Sequence, residues 1–278
     1  MNAKSVNFLI LIVILQIFVG QSQATDKTFV WSVVPQFTGT AVHRDWTPLI
    51  LYLEEKTGEK FKLRIYDSIP DFEHGFLKGE PDIAYMNPYH AVMAKKAQGY
   101  TPIIRNGKRL LTGIIVVRKD SSITNIHQLA DSKVSFPSPN AFAASLYMRA
   151  LLREKEKIEF TPVFAGTHSN AYRQTLVGQT VASGAVKRTL SKEPIEVQNN
   201  LKIIYTTPSF PSHPLVVHPR VAIAVKNTIQ TILLKLHGTK QGKKLLNPVL
   251  LAKPVKANYV EEYLPLKSLN LETYLVVQ

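Results

Sequence analysis

Two hydrophobic periods alternate along this chain, and that alternation restricts the fold more than any other feature of the sequence. Thr28-Phe-Val-Trp-Ser-Val-Val34 is a β-branched and aromatic run halted by Pro35, the pattern of a buried strand emptying into a loop. Gln36 to Thr40 follow at the strand's C-terminal end. Trp46, Leu49, Ile50 and Leu53 then recur at helical spacing, which predicts a helix over 45–57 with Pro48 in its first turn and Gly58 closing it. A strand over 61–66, a helix over 69–78 ending at Gly79 and a short strand over 82–85 continue the unit. Strands separated by helices rejoin one sheet through crossovers, so the pattern predicts a doubly wound, largely parallel sheet.

The alternation restarts further on. Gly113-Ile-Ile-Val-Val-Arg118 reads as a strand, 126–129 as a short helical turn, 133–136 as a strand and 141–156 as a long helix. After a strand over 201–205, Thr207 to Pro219 holds four of the chain's 17 prolines, which suits a hinge crossing back to the first half. Helical segments around 228–236 and 259–263 finish that half. The expected organisation is two α/β lobes, 25–112 with 206–278 forming the first and 113–205 the second.

The N-terminus predicts the compartment. Lys4 supplies a positive start, Phe8 to Val19 is apolar, and Ser22-Gln-Ala24 places small residues where a signal peptidase reads, so residues 1–24 are expected to be a cleaved signal peptide. The apolar run is shorter than the roughly 20 residues a bilayer core requires. No cysteine occurs, which excludes a lipid-modified cysteine, disulfides and thiolate chemistry. A periplasmic protein that is not a lipoprotein is implied. The net charge of +14 attracts anions at long range, while the scattered Lys and Arg and the lack of a nucleic-acid-binding motif argue against nucleic acid as a partner.

Several short motifs run in one order: Trp46-Thr-Pro48, Gly79 with Asp82-Ile-Ala84, Arg118-Lys-Asp-Ser121, Pro139-Asn140, Gly166 with His168, and Gly178. Together they resemble the substrate-binding proteins of phosphate/phosphite/phosphonate ABC transporters, from about Phe29 to Val217. That resemblance implies a type II periplasmic binding protein. Each lobe would be a doubly wound mixed sheet with helices on both faces, and the cleft between lobes would hold a tetrahedral anion. It further implies carriage of a small anionic ligand to a membrane permease; the alternative is a degenerate binding protein reporting occupancy to a sensor receptor.

The resemblance also implies which residues meet the ligand, and here the chain departs from the family. A Ser-Thr-Ser triplet at the start of the long helix is replaced by Ala141, Phe142 and Ala143, which removes three hydroxyl donors worth roughly 1 kcal/mol each, more toward a charged acceptor. Phe142 is expected to bring apolar surface to the pocket, calling for a ligand with a flat or greasy part. Two tyrosines of the family fall at Ser68 and Leu111. A glutamate that meets an amine falls at Arg188, an aspartate falls at His213, and another aspartate becomes Val181. With both acids replaced by potential cations, an aminoalkyl ligand is expected to be rejected and a more anionic one tolerated. His168 keeps its place in a Gly-Thr-His-Ser loop and is expected to donate to the oxyanion. Gln36, Asn140, Tyr85 and Asn87 complete the expected cleft, Asn87-Pro88 being also readable as a plain turn and Trp46 as core.

No chemistry beyond binding is indicated. His213 and His218 lie five apart in a Pro-bounded segment, not at the spacing of a helical zinc pair, so neither metal nor cofactor is expected. No nucleophile elbow, phosphate loop or dinucleotide fingerprint occurs, and Glu54-Glu55 and Glu261-Glu262 read as solvated helix faces, so an enzyme is not expected.

Overall fold

In the computed structural model, which describes residues 27–276, the first strand β1 (Thr28–Val33) lies between β2 (Lys60–Arg64) and β3 (Ile83–Tyr85), parallel to both. The expected signal peptide falls outside the described residues. Helix α1 (Gly39–Thr57) starts earlier than its apolar spacing predicts, because Thr38 accepts a hydrogen bond from the Ala41 amide and so caps the helix six residues upstream. Pro48 therefore sits in mid-helix rather than in the first turn. It is tolerated there on the solvent face, where water can meet the Arg44 carbonyl that loses its helical partner. The opposite stripe, Val42, Trp46, Leu49, Ile50 and Leu53, is buried.

Helix α2 (Ile69–Leu77) and helix α3 (Pro88–Gln98) follow β2 and β3. Asn87-Pro88, readable from sequence as a turn, is a helix start: the Asn87 side chain accepts from the His90 amide, Pro88 occupies the first turn, and Gly99 at φ 77° ends the helix. Strand β4 (Thr101–Asn106) then leads into the second half through residues 107–110.

Strand β5 (Leu111–Arg118) belongs to a second sheet, with β6 (Lys133–Phe136), β7 (Thr161–Phe164), β8 (Ala182–Val186) and β9 (Leu201–Phe210) in the order β7-β6-β8-β5-β9, where it lies between β8 and β9. Ile115 and Val117 enter the core on one face of this sheet and Ile114 and Val116 the core on the other, which is why the strand reads as an unbroken apolar run. The long helical segment after β6 consists of α4 (Tyr147–Ala150) flanked by wide π-type turns, Phe142–Leu146 and Leu151–Lys155. Its first turn rests directly on the sheet backbone: a Cβ on Gly113 would meet the Ala143 carbonyl oxygen at 2.2 Å, and one on Gly184 the Ala144 carbonyl oxygen at 2.5 Å. Helices α5 (His168–Leu176), α6 (Lys187–Leu190) and α7 (Ile195–Asn199) complete this half.

The proline-rich segment is mostly strand. Strand β9 runs to Phe210 and β10 begins at Pro214 (Pro214–Val217), so only 211–213 cross between the sheets. Pro208 is accommodated because β9 is an edge strand, and Pro214 because it is the first residue of its strand. Strand β10 pairs antiparallel with β3 and β4, and β11 (Pro254–Lys256) with β4, giving a first sheet of order β11-β4-β10-β3-β1-β2. Both sheets are mixed, as expected of the two-lobed α/β fold. Helices α8 (Ile223–Leu236) and α9 (Lys240–Leu246) join the first sheet, and short helical turns over 259–274 end the chain.

Asp82 ties three segments of this sheet together. Its carboxylate accepts from the Val30 amide at 2.8 Å and from Arg220 Nε at 2.6 Å, and the same guanidinium donates to the carbonyls of Gly79 and Glu80. The Gly79 to Asp82 motif is thus part of the scaffold.

Candidate functional site

The ends of β1 and β3, the crossings 107–110 and 211–213, and the turn after β8 converge on a cavity of about 510 Å³. Gln36 and Tyr85 enter from the first sheet, Val186 and Arg188 from the second, and His213 from the crossing. An aromatic series backs it. Trp46 packs on Trp31 at 6.1 Å, Tyr85 on Trp46 at 5.0 Å, and the His213 imidazole stacks on Tyr85 at 5.6 Å and 27°. Tyr85 and His213 are thereby fixed in orientation by packing on the first-sheet core.

The cavity is strongly cationic. Lys108 and Arg109 line it from one crossing and Lys187 and Arg188 from the start of α6, while no Asp or Glu is among its lining residues. None of the four forms an ion pair among the described residues. Arg188 Nε is buried and has no hydrogen-bond partner. Burial lowers the Arg188 pKa, nearby Tyr85 opposes that effect and nearby Arg109 adds to it. Burial also pushes the Tyr85 phenol well up and brings His213 down to about 3, an effect to which His90, His168 and Arg188 contribute. An uncompensated, partly desolvated guanidinium is a binding site for a carboxylate or phosphoryl oxygen.

A second pocket adjoins the first, and Gln36, Leu111, Val186 and His213 line both. It contains Asn87, Ala141, Phe142, Ala143 and His168, the residues expected to grip an oxyanion, but its volume is about 10 Å³. That is the space of a single water molecule. His168 is 2% exposed, and desolvation holds it neutral with a pKa of about 3. Its Nδ1 is buried without a partner.

Phe142 does not offer its ring to a ligand. It stacks on Tyr89 and meets Phe210 edge-on at 4.8 Å, joining the core of the first sheet to the helix of the second. Asn140 is also occupied. Its amide donates to Glu73 Oε2 at 2.7 Å and to the Val276 carbonyl at 2.8 Å, its side-chain oxygen accepts from the Val276 amide, and its backbone carbonyl accepts from Asn87 Nδ2. Glu73 in turn bonds His90 Nε2 at 2.8 Å. Asn140 is a bridge between lobes and lines neither pocket. Ser68 is likewise outside both, because its hydroxyl caps α2 through the Asp71 amide and carboxylate.

The structure adds Asn106, Lys108, Arg109, Lys187, Thr189, Ser209 and Ser212 to the cavity wall. One sequence signal could have drawn attention to four cations. The chain contains two Lys-Arg dipeptides, Lys108-Arg109 and Lys187-Arg188, and folding sets both on this cavity.

Comparison with known proteins agrees with this architecture. Residues 31–263 match the model of the family described as ABC transporter, phosphonate, periplasmic substrate-binding protein. The phosphonates-binding periplasmic protein of Escherichia coli (strain K12) is 21% identical over 266 residues, covering 91% of this chain and 78% of that protein. PhnD1 of Prochlorococcus marinus (MIT 9301), solved in complex with methylphosphonate, superposes with a TM-score of 0.82 at 15% identity, over 90% of this chain and 100% of that one. A binding protein component of an ABC phosphonate transporter from Pseudomonas aeruginosa gives 0.79 at 16% identity, over 87% and 85%.

Proposed function

The chain belongs to the family of periplasmic substrate-binding proteins of phosphonate ABC transporters, and from that premise we propose that it carries a small anionic solute between two lobes to a membrane permease. We take the lobes to meet at the crossings 107–110 and 211–213, a few residues outside the bounds expected at 112 and 206. The observation that carries the reading is a cavity walled by elements of both sheets and both crossings, with four cationic side chains and no carboxylate on its lining. Its location at strand ends is where open α/β sheets place their ligands. The relatives are transport components, which supports carriage without chemical change, and their periplasmic designation supports export through a leader at 1–24.

Within the site, Arg188 and Gln36 are the residues we assign to ligand contact, with Tyr85 and His213 as a rigid aromatic wall and His168 at the back. The test is a thermal-unfolding titration of the exported chain with phosphate, phosphite, methylphosphonate, sulfate and, as a cationic control, arginine. An anion at about 100 times its dissociation constant should stabilise the protein by roughly 2.7 kcal/mol, read as a rise in Tm. A rise with arginine alone would reject the reading.

A further inference from the structure

The two Lys-Arg pairs and the closed inner pocket bear on what kind of anion fits. A single tetrahedral oxyanion seated beside His168 would need room that the inner pocket of about 10 Å³ does not provide. The outer cavity of about 510 Å³ has that room and more. Its charge sits at two places, Lys108-Arg109 on the crossing and Lys187-Arg188 after β8, and the cavity lining offers no acid to compensate either pair. A ligand with a single negative charge offsets only part of these four cations. An ammonium group finds no carboxylate on this lining and meets like charge from either pair. The lining also carries apolar side chains, Leu110, Leu111, Val186 and Leu250.

We infer that the ligand of this cavity is an organic phosphate or phosphonate bearing a second anionic group, seated with one anion on Arg188 and the other toward Lys108-Arg109, in the outer cavity rather than the inner pocket. The inference rests on the binding reading above. Two anionic groups answer two cation pairs that come from different segments, and guanidinium forks donate to carboxylate or phosphoryl oxygens in bidentate fashion. A carbon body between the anions packs on the apolar side chains of the lining. Zwitterionic aminophosphonates are excluded by the same charges, since their ammonium would be desolvated against like charge.

The test compares four probes by calorimetry on the exported chain at moderate salt: methylphosphonate, 2-aminoethylphosphonate, phosphonoacetate and pyrophosphate. Phosphonoacetate and pyrophosphate should bind on the order of tenfold or more tightly than methylphosphonate, and 2-aminoethylphosphonate the least. Arg109→Met should weaken the doubly anionic probes by about tenfold while leaving methylphosphonate within about threefold, and Arg188→Met should weaken methylphosphonate as well as the doubly anionic probes. Each variant's urea midpoint reports whether it folds, and the two substitutions lie on different segments, so a misfolded variant leaves the other to decide. Equal or tighter binding of methylphosphonate or 2-aminoethylphosphonate overturns the inference and leaves the anion-carrier reading standing. Silence with all four probes, together with phosphate and sulfate, overturns both.

Discussion

The ring of Phe142 lies over that of Tyr89, centroids 5.9 Å apart and planes 16° from parallel, so that the helix of the second sheet is docked on α3 of the first. Phe142 also lines the inner pocket, as His168 does. Phe142→Ala should therefore lower stability by about 3–5 kcal/mol and leave a void beside His168. The urea midpoint should fall, and methylphosphonate binding should strengthen as the inner pocket opens. An unchanged midpoint would show that the ring is not load-sharing between the lobes.

Asn140 should behave as a structural residue. Asn140→Ala removes the donor to the buried Glu73 carboxylate and both contacts to Val276. A loss of about 2–4 kcal/mol is expected. Hydrogen exchange should accelerate over 271–276 more than elsewhere, and uniform acceleration would argue against a local bridge.

Acid should destabilise the protein through its histidines before most of its carboxylates titrate. His168 and His213 have folded-state pKa values of about 3 against an ordinary 6.5, because burial disfavours the charged ring. Below pH 6.5 the unfolded chain takes up protons that the folded chain refuses. Their contribution is thus intact above pH 6.5 and lost progressively as pH falls from 6.5 toward 3. Two such groups amount to roughly 2–3 kcal/mol between pH 7.5 and 5.5. Urea unfolding at those two pH values measures it, and His168→Gln with His213→Gln should flatten the difference.

Gly113→Ala should be far more damaging than its size implies. The added methyl would lie 2.2 Å from the Ala143 carbonyl oxygen, a backbone atom that cannot rotate away. Overpacking of this kind is expected to take about 1–3 kcal/mol or more, whereas Gly238→Ala, with nothing within 4 Å, should stay within about 0.5 kcal/mol. Thermal unfolding of the two variants decides it.

The two-lobed fold was legible because β5 is buried on both faces and its apolar run restarts the alternation of strand and helix. Helix α3 and strand β4 were not, since Asn87-Pro88 is equally a turn and a helix start until the His90 amide is seen on Asn87. The cleft was legible in part. Gln36, Tyr85, Arg188 and His213, expected in the cleft from the family resemblance, line the large cavity. Phe142 and Asn140 did not behave as ligand contacts, because their partners, Tyr89, Glu73 and Val276, lie far away in sequence and no local pattern announces them. Lys108 and Arg109 escaped notice for a related reason: a loop cation looks solvated until the fold shows what it faces.

The last described residues, up to Val276, reach the second half at several points. Val276 bonds Asn140, the Tyr274 carbonyl accepts from Arg149, and the Tyr274 hydroxyl donates to Glu154 at 2.5 Å. Together with the crossings 107–110 and 211–213, this makes a third tie between the sheets, held by reversible bonds instead of covalent ones. Wide separation of the lobes breaks those bonds or waits for the tail to detach. Were solute exchange to need such separation, a peeling step would pace it, and residence time would follow the tail's grip as well as the cavity.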